Sequence, residues 1–141
     1  MRLRQLSQCV ELIRFIAVEI RYGCAPVSDM LFGAAHNEAF GALEFLPKVE
    51  TDAACDFAAA WRQAVEAAAS LALKREEKAI LLRFGESLGT TDSQTQLLLC
   101  ERFAAQMKKQ LDEADARRAE SLRLTLGGAI VSALILFALI L

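Results

Sequence analysis

Two adjacent acid pairs, one histidine and four cysteines are the residues of this 141-residue chain whose types could do chemistry. Glu76-Glu77 and Asp112-Glu113 are the acid pairs, and paired carboxylates can do acid-base work. Both lie in helical stretches of alternating charge, where residues adjacent in sequence do not face each other and a solvated face is the ordinary reading. His36 is the only histidine, so no Ser-His-Asp or Cys-His set can be assembled convincingly around it. Cys9, Cys24, Cys55 and Cys100 are too widely spaced for a CxxC pair. There is no Gly-rich phosphate loop, HExxH or acidic metal loop. The sequence therefore predicts no enzyme, no cofactor and no metal site.

Charge excludes a second class. Sixteen Lys and Arg against eighteen Asp and Glu leave a net charge of −2 with signs interspersed. The few aromatics are not interleaved with the basic residues, which argues against a nucleic-acid partner. Every charged residue lies in the first 123 positions. The chain thus divides into a soluble domain of single-domain size, 1–122, and an apolar segment, 123–141.

Leu124 to Leu141 carries no charge and has only Thr125 and Ser132 as polar side chains. As a helix it would cover ~27 Å, close to the ~30 Å hydrocarbon core of a bilayer. Lys108, Lys109, Arg117, Arg118 and Arg123 precede it, and the positive-inside tendency places the soluble domain in the cytoplasm. There the four thiols read as reduced, small apolar side chains. Met1 to Gln8 is polar, and Glu11, Arg14 and Glu19 interrupt the apolar residues that follow. That is not the pattern of a cleavable signal peptide.

The elements that must carry these residues are helices. Leu3, Leu6, Val10, Ile13, Ala17 and Ile20 recur at steps of three and four between Arg2 and Arg21, and Leu12, Phe15 and Ile16 widen that stripe to what a bundle requires. Gly23 would cap this helix in the left-handed conformation and Pro26 would open the next at its first position. A second helix runs from Pro26 to Ala34-Ala35, and a further piece covers Glu38 to Leu46 before Pro47 interrupts. Thr51 or Asp52 would cap an Ala-rich helix through Leu73, with Trp61 in the core.

Lys74 to Lys78 reads as solvated, and Ala79 to Leu88 as a short apolar helix ended by Gly89. Thr91-Asp92-Ser93-Gln94 fits a capping box with Thr91 as cap and Gln94 reaching back. Leu97, Cys100, Ala104, Met107, Leu111 and Ala114 repeat the rhythm of the first helix, and no Gly or Pro separates them from the membrane segment. A continuous last helix from Asp92 to Leu141 would span ~75 Å. No segment of strand period is present. The fold class is all-α, an antiparallel helical bundle with a C-terminal transmembrane helix.

Two corners join helix ends to helix starts: Val18 to Pro26, and Phe84 to Asp92. They also carry a resemblance. Arg-Leu-Arg-Gln-Leu near the start, Glu19-Ile20-x-Tyr22-Gly23-x-x-Pro26, Gly85-Glu86-Ser87-Leu88-Gly89-x-x-Asp92-x-x-x-Gln96, and Leu126-Gly127 in a terminal apolar helix together resemble the stage III sporulation protein AB family.

The resemblance implies a membrane protein of endospore formers, made in the mother cell and placed in the membrane around the forespore. It implies similarity in role to inner-membrane platform proteins of type II secretion and type IV pilus systems. The implied partners are a sporulation ATPase of the same operon and other membrane components of a channel linking mother cell and forespore. Members of that family begin with an additional membrane helix, whereas this sequence opens at Met1-Arg2. A two-helix hairpin would leave the soluble part on the same side.

Carried over by that resemblance, the first corner contributes Glu19, Tyr22, Gly23 and Pro26, and the second Gly85, Glu86, Leu88, Gly89, Asp92 and Gln96. Glu19, Tyr22, Glu86, Asp92 and Gln96 are nominated to bind a partner. Gly23, Pro26, Gly85, Leu88 and Gly89 are nominated to shape the turns. Glu19 is the sharpest nomination: a carboxylate three residues from a helix end sits near the negative pole and should have a cationic or hydrogen-bonding partner. In the membrane segment Gly128 and Ser132, or Ala129 and Ala133, place small residues one turn apart and could seat a helix partner, so a homo-oligomer stays open. The rival reading is a tail-anchored adaptor that recruits a cytoplasmic protein by helix-groove contacts.

Overall fold

The stripe along the first helix is buried as its spacing requires. In the computed structural model, which describes residues 1–23, 25–52 and 56–141, α1 spans Arg2–Tyr22. Leu6, Cys9, Val10, Leu12, Ile13 and Ile16 lie in the core. Five of these are large aliphatics, each worth ~1.5–3 kcal/mol on full burial, which is ample to order a helix lacking a side-chain N-cap.

Then follow α2 (Val27–Ala35), a 3-10 turn (Glu38–Phe40), α3 (Leu46–Asp52), α4 (Phe57–Ala67), α5 (Arg75–Ser87) and α6 (Ser93–Ile140). Among the described residues there is no strand. Successive helices pack in order, α1 on α2, α2 on α3, α3 on α4 and α4 on α5, and α1 also touches the 3-10 turn.

The centre of this packing is Trp61. It is fully buried, its Nε1–H donates to Leu81 O at 2.9 Å, and Phe45 and Phe84 meet it edge-on at 5.3 and 6.0 Å. Phe84 in turn meets Phe103 of α6 at 5.9 Å. Edge-to-face pairs of this kind interlock three elements around one indole.

Several boundaries differ from the sequence reading. Pro47 does not interrupt a helix over 38–46; it lies in the first turn of α3, where its missing N–H has no intrahelical partner to lose. Within that stretch only Glu38–Phe40 is helical, as the 3-10 turn, capped by Asn37 Oδ1 accepting Ala39 N–H at 2.9 Å. Thr51 and Asp52 do not cap the Ala-rich helix, because their backbone belongs to α3 and the cap residue of α4 is Asp56.

That helix stops at Ala67 instead of Leu73. The reason is Gln5 of α1, fully buried, whose Nε2 donates to Ser70 O at 2.8 Å and whose Oε1 accepts Ala72 N–H at 2.7 Å. Its amide takes the backbone groups that a longer α4 would need, and Ala42 O lies 3.4 Å from the same Nε2. Neighbouring Gln8 Oε1 accepts Ala42 N–H at 2.8 Å.

Lys74 to Lys78 is not uniformly solvated either. α5 begins at Arg75, and Glu77 is fully buried. Glu77 Oε2 accepts Lys74 N–H at 2.9 Å, the reaching-back half of a capping box. The same carboxylate takes Arg2 Nε at 3.2 Å and pairs with Arg2 Nη2. This bond raises the Arg2 pKa, with burial opposing. The Arg-Leu-Arg-Gln-Leu start thus ties α1 to the loop and helix start that follow α4.

The chain forms two compact units, Met1–Leu111 and Asp112–Leu141. The sequence boundary at 122–123 marks where charge ends; packing divides the chain at 111–112. In the first unit α6 buries Cys100, Phe103 and Met107. Burial pushes the Cys9 thiol up to about 12 and the Cys100 thiol up to about 11. Cys24 and Cys55 lie outside the described residues. The second unit carries the segment that makes α6 long and apolar enough to cross a membrane, and its apolar window is wholly exposed.

Candidate functional site

At the first corner α1 ends at Tyr22, and Gly23 N–H donates to Glu19 O at 2.9 Å. Gly23 is not left-handed: its φ is −119° and ψ 156°, an extended conformation. Its glycine character serves close approach, since a Cβ would stand 3.0 Å from Glu19 O. Pro26 is the cap residue of α2, one position earlier than the sequence reading placed it, and its carbonyl accepts Asp29 N–H at 3.0 Å and Met30 N–H at 3.2 Å.

At the second corner Gly89 does take the left-handed conformation, with φ 76°. The helix cap is shifted by one residue from the predicted box. Asp92 is the residue before α6; its Oδ2 accepts Thr95 N–H at 3.3 Å and its Oδ1 accepts Thr95 Oγ1–H at 2.6 Å. Both oxygens lie at the positive end of the helix, and these bonds, the Thr95 hydroxyl first, hold the Asp92 carboxyl below its ordinary pKa.

Thr91 serves Gln96 instead, accepting from its Nε2 at 2.9 Å. Gln96 is buried. Its Nε2 also donates to Ser87 O at 2.5 Å, and its Oε1 accepts Gly89 N–H at 3.4 Å. One amide therefore clasps the whole turn from Ser87 to Thr91.

The fold brings the two corners together. Ile20, Gly23, Ala25, Val27 and Met30 from the first and Leu88, Gly89, Thr91, Ser93 and Gln96 from the second line one cavity of about 330 Å³. A Cβ on Gly89 would sit 3.7 Å from Val27 Cγ2. Among the described lining residues there is no charged side chain, and the cavity can take an apolar group.

The remaining nominated residues divide between inside and outside. Gly85 faces Trp61, whose Cδ1, Nε1 and Cγ occupy the place of a Cβ. Glu86 pairs with Arg62, which also lies 3.5 Å from Glu66. Leu88 is buried.

Tyr22 is 81 % exposed. Glu19 is half-buried and lines a second groove, of about 430 Å³, with Glu11, Arg14, Phe15, Val18, Ala39 and Phe40. Its expected partner is missing: among the described residues no cation or donor meets its carboxylate. Val18, 53 % exposed, is a surface residue that the periodicity of α1 alone does not mark as part of a groove. The available signal was an apolar side chain lying off the stripe of α1.

Among the described residues no group of three or more His, Cys, Asp or Glu could hold a metal ion. In the apolar segment Ser132 Oγ–H donates to Gly128 O and Thr125 Oγ–H to Ser121 O, both at 2.9 Å. Both hydroxyls are thus satisfied within their own helix, the state that lipid surroundings require. A Cβ on Gly127 or Gly128 would meet nothing within 4 Å.

Residues 1–141 match the family described as Stage III sporulation protein AB. A solved structure titled Stage III sporulation protein AB has the same fold, with a TM-score of 0.69 and 24 % identity over 83 % of this chain and 95 % of that one. No curated protein matches.

Proposed function

Because the chain belongs to the Stage III sporulation protein AB family, we propose that it is a non-enzymatic platform of a secretion-like sporulation complex. In this reading the last helix anchors it in the mother-cell membrane around the forespore. The bundle stands in the cytoplasm and docks an ATPase encoded beside it, and other membrane components complete a channel between the two cells. Lys108, Lys109, Arg117, Arg118 and Arg123 on the soluble side of the anchor support the cytoplasmic orientation.

One observation carries the docking role. The corners meet at one region of the bundle, and beside them Tyr22 stands exposed and Glu19 has no partner among the described residues, while the other nominated side chains serve the fold. A half-buried carboxylate near a helix's negative pole is unfavourable unless something outside compensates it.

The test is genetic. In a strain whose own copy is removed, the native gene should restore spores and Tyr22→Ala with Glu19→Lys should not, at equal protein level in the membrane fraction. Full restoration by the double variant would overturn the docking role. Restoration in a non-sporulating context, with no sporulation defect on removal, would favour a general tail-anchored adaptor.

A further inference from the structure

The groove beside the corners has an apolar floor and one negative end. Phe15 and Phe40 form the floor, their rings edge-on at 5.6 Å, and Phe15 is braced from below by α2, where a Cβ on Gly33 would be 3.8 Å from its Cζ. Val18 forms the exposed lip. At one end Arg14 is held by Glu11 at 3.2 Å, so these two charges largely compensate each other.

At the other end stands Glu19, in the last turn of α1 at the helix's negative pole, with no ion pair or hydrogen bond to its carboxylate among the described residues. Tyr22 follows Glu19 by three residues, on the same side of the helix. Arg21 is two residues from Glu19 and so projects from a different side.

We propose that this groove seats a basic, aliphatic helical segment of a partner protein. An aliphatic side chain of that segment enters over Phe15 and Phe40 beside Val18. A Lys or Arg one turn along pairs with Glu19 and lays its stem or guanidinium on the Tyr22 ring. Charge fixes the class of occupant: an acidic segment would meet Glu19 and the helix pole unfavourably, and a neutral one would leave the carboxylate desolvated without a partner. The proposal deepens the docking reading, and rests on it for the partner's being cytoplasmic.

The test uses the full chain in nanodiscs of zwitterionic phosphatidylcholine, so that lipid charge does not attract the probe. Two synthetic helix-forming peptides are compared by fluorescence anisotropy, one with Leu and Arg a turn apart on a single face, the other with Glu in place of Arg. The basic peptide should bind about tenfold more tightly, the scale of one close charge pair at a partly exposed site. Glu19→Gln should abolish that preference, and Val18→Ser should weaken the basic peptide, both with unchanged helicity and melting temperature.

Equal binding of the two peptides, or a preference that survives Glu19→Gln, would overturn the proposal. So would Glu19-dependent self-association that excludes both peptides, because the occupant would then be a second copy. A charge preference without ATPase co-purification would remove the ATPase from the platform reading and leave this proposal supported. Co-purification without the preference would do the reverse.

Discussion

The indole of Trp61 occupies the space that a side chain on Gly85 would fill, and its Nε1–H bonds Leu81 O one turn earlier on the same helix. α4 and α5 are thus held together by a close approach that only glycine allows. Gly85→Ala should destabilise the bundle by ~1–3 kcal/mol, the usual cost of overpacking a filled core. Thermal unfolding followed by circular dichroism would show it. The loss should shrink in a Trp61→Phe background, since the two changes share one contact.

Arg2 and Glu77 make a second long-range tie. Arg2→Met leaves the fully buried Glu77 carboxylate with the Lys74 N–H as its one remaining donor among the described residues, and should cost ~3–5 kcal/mol, as breaking a buried charge pair does. Replacing both residues by Met should recover much of that, because an apolar pair needs no desolvated charge. A double-mutant cycle in urea would measure the coupling; strict additivity of the two changes would contradict the tie.

Gln96 clasps the second corner through Ser87, Gly89 and Thr91. Gln96→Ala strands these groups and should lower stability by ~1–3 kcal/mol. Hydrogen exchange should rise first at Gly89 N–H.

Asp92 gives a pH signature at the same corner. Its folded pKa is depressed by the Thr95 bonds below the ordinary 3.8. Its contribution is therefore fully present well above pH 3.8 and lost as pH falls through the folded value. Asp92→Ala should flatten that part of the acid limb of a stability–pH curve; an unchanged limb would contradict the capping role.

Cys9 and Cys100 should resist alkylation at pH 8 in the folded protein and react on unfolding, read site by site by mass spectrometry. Their thiols are raised from 9.0 to about 12 and about 11 by burial. The neutral form is favoured in the folded state, so their contribution is present below pH 9.0 and declines as pH rises through the folded values.

Much of the fold is legible in the sequence because it follows from local periodicity. Leu6, Val10 and Ile13 announce α1, the stretch from Leu97 to Met107 announces the bundle half of α6, and Trp61 on an Ala-rich helix announces the core. What periodicity cannot reveal is a polar side chain satisfied by a distant segment. Gln5 looks like a surface residue of an amphipathic helix, yet its partners are Ser70 and Ala72. Glu77 looks like part of a solvated run, yet Arg2 reaches it. These contacts set where α4 stops and α5 starts, which is why both boundaries differ from the local reading.

The site was legible in part for the same reason. The two corners stood out by composition, and the fold brings them to one cavity. Asp92 and Thr91 exchanged roles because Gln96, five residues on from Thr91, competes for its hydroxyl. The exposure of Val18 and the place of Glu19 in a groove with Ala39 and Phe40 needed the tertiary structure, since both depend on where the 3-10 turn crosses α1.

The proposed docking of an ATPase beside the first corner stands or falls on one measurement. The most direct measurement is co-purification of the full chain, in mild detergent, with the ATPase encoded beside it, comparing the native protein with Glu19→Lys at matched helicity and melting temperature. The native chain should retain the ATPase and the equally folded variant should lose it. Equal retention by both, or retention by neither, would contradict the docking.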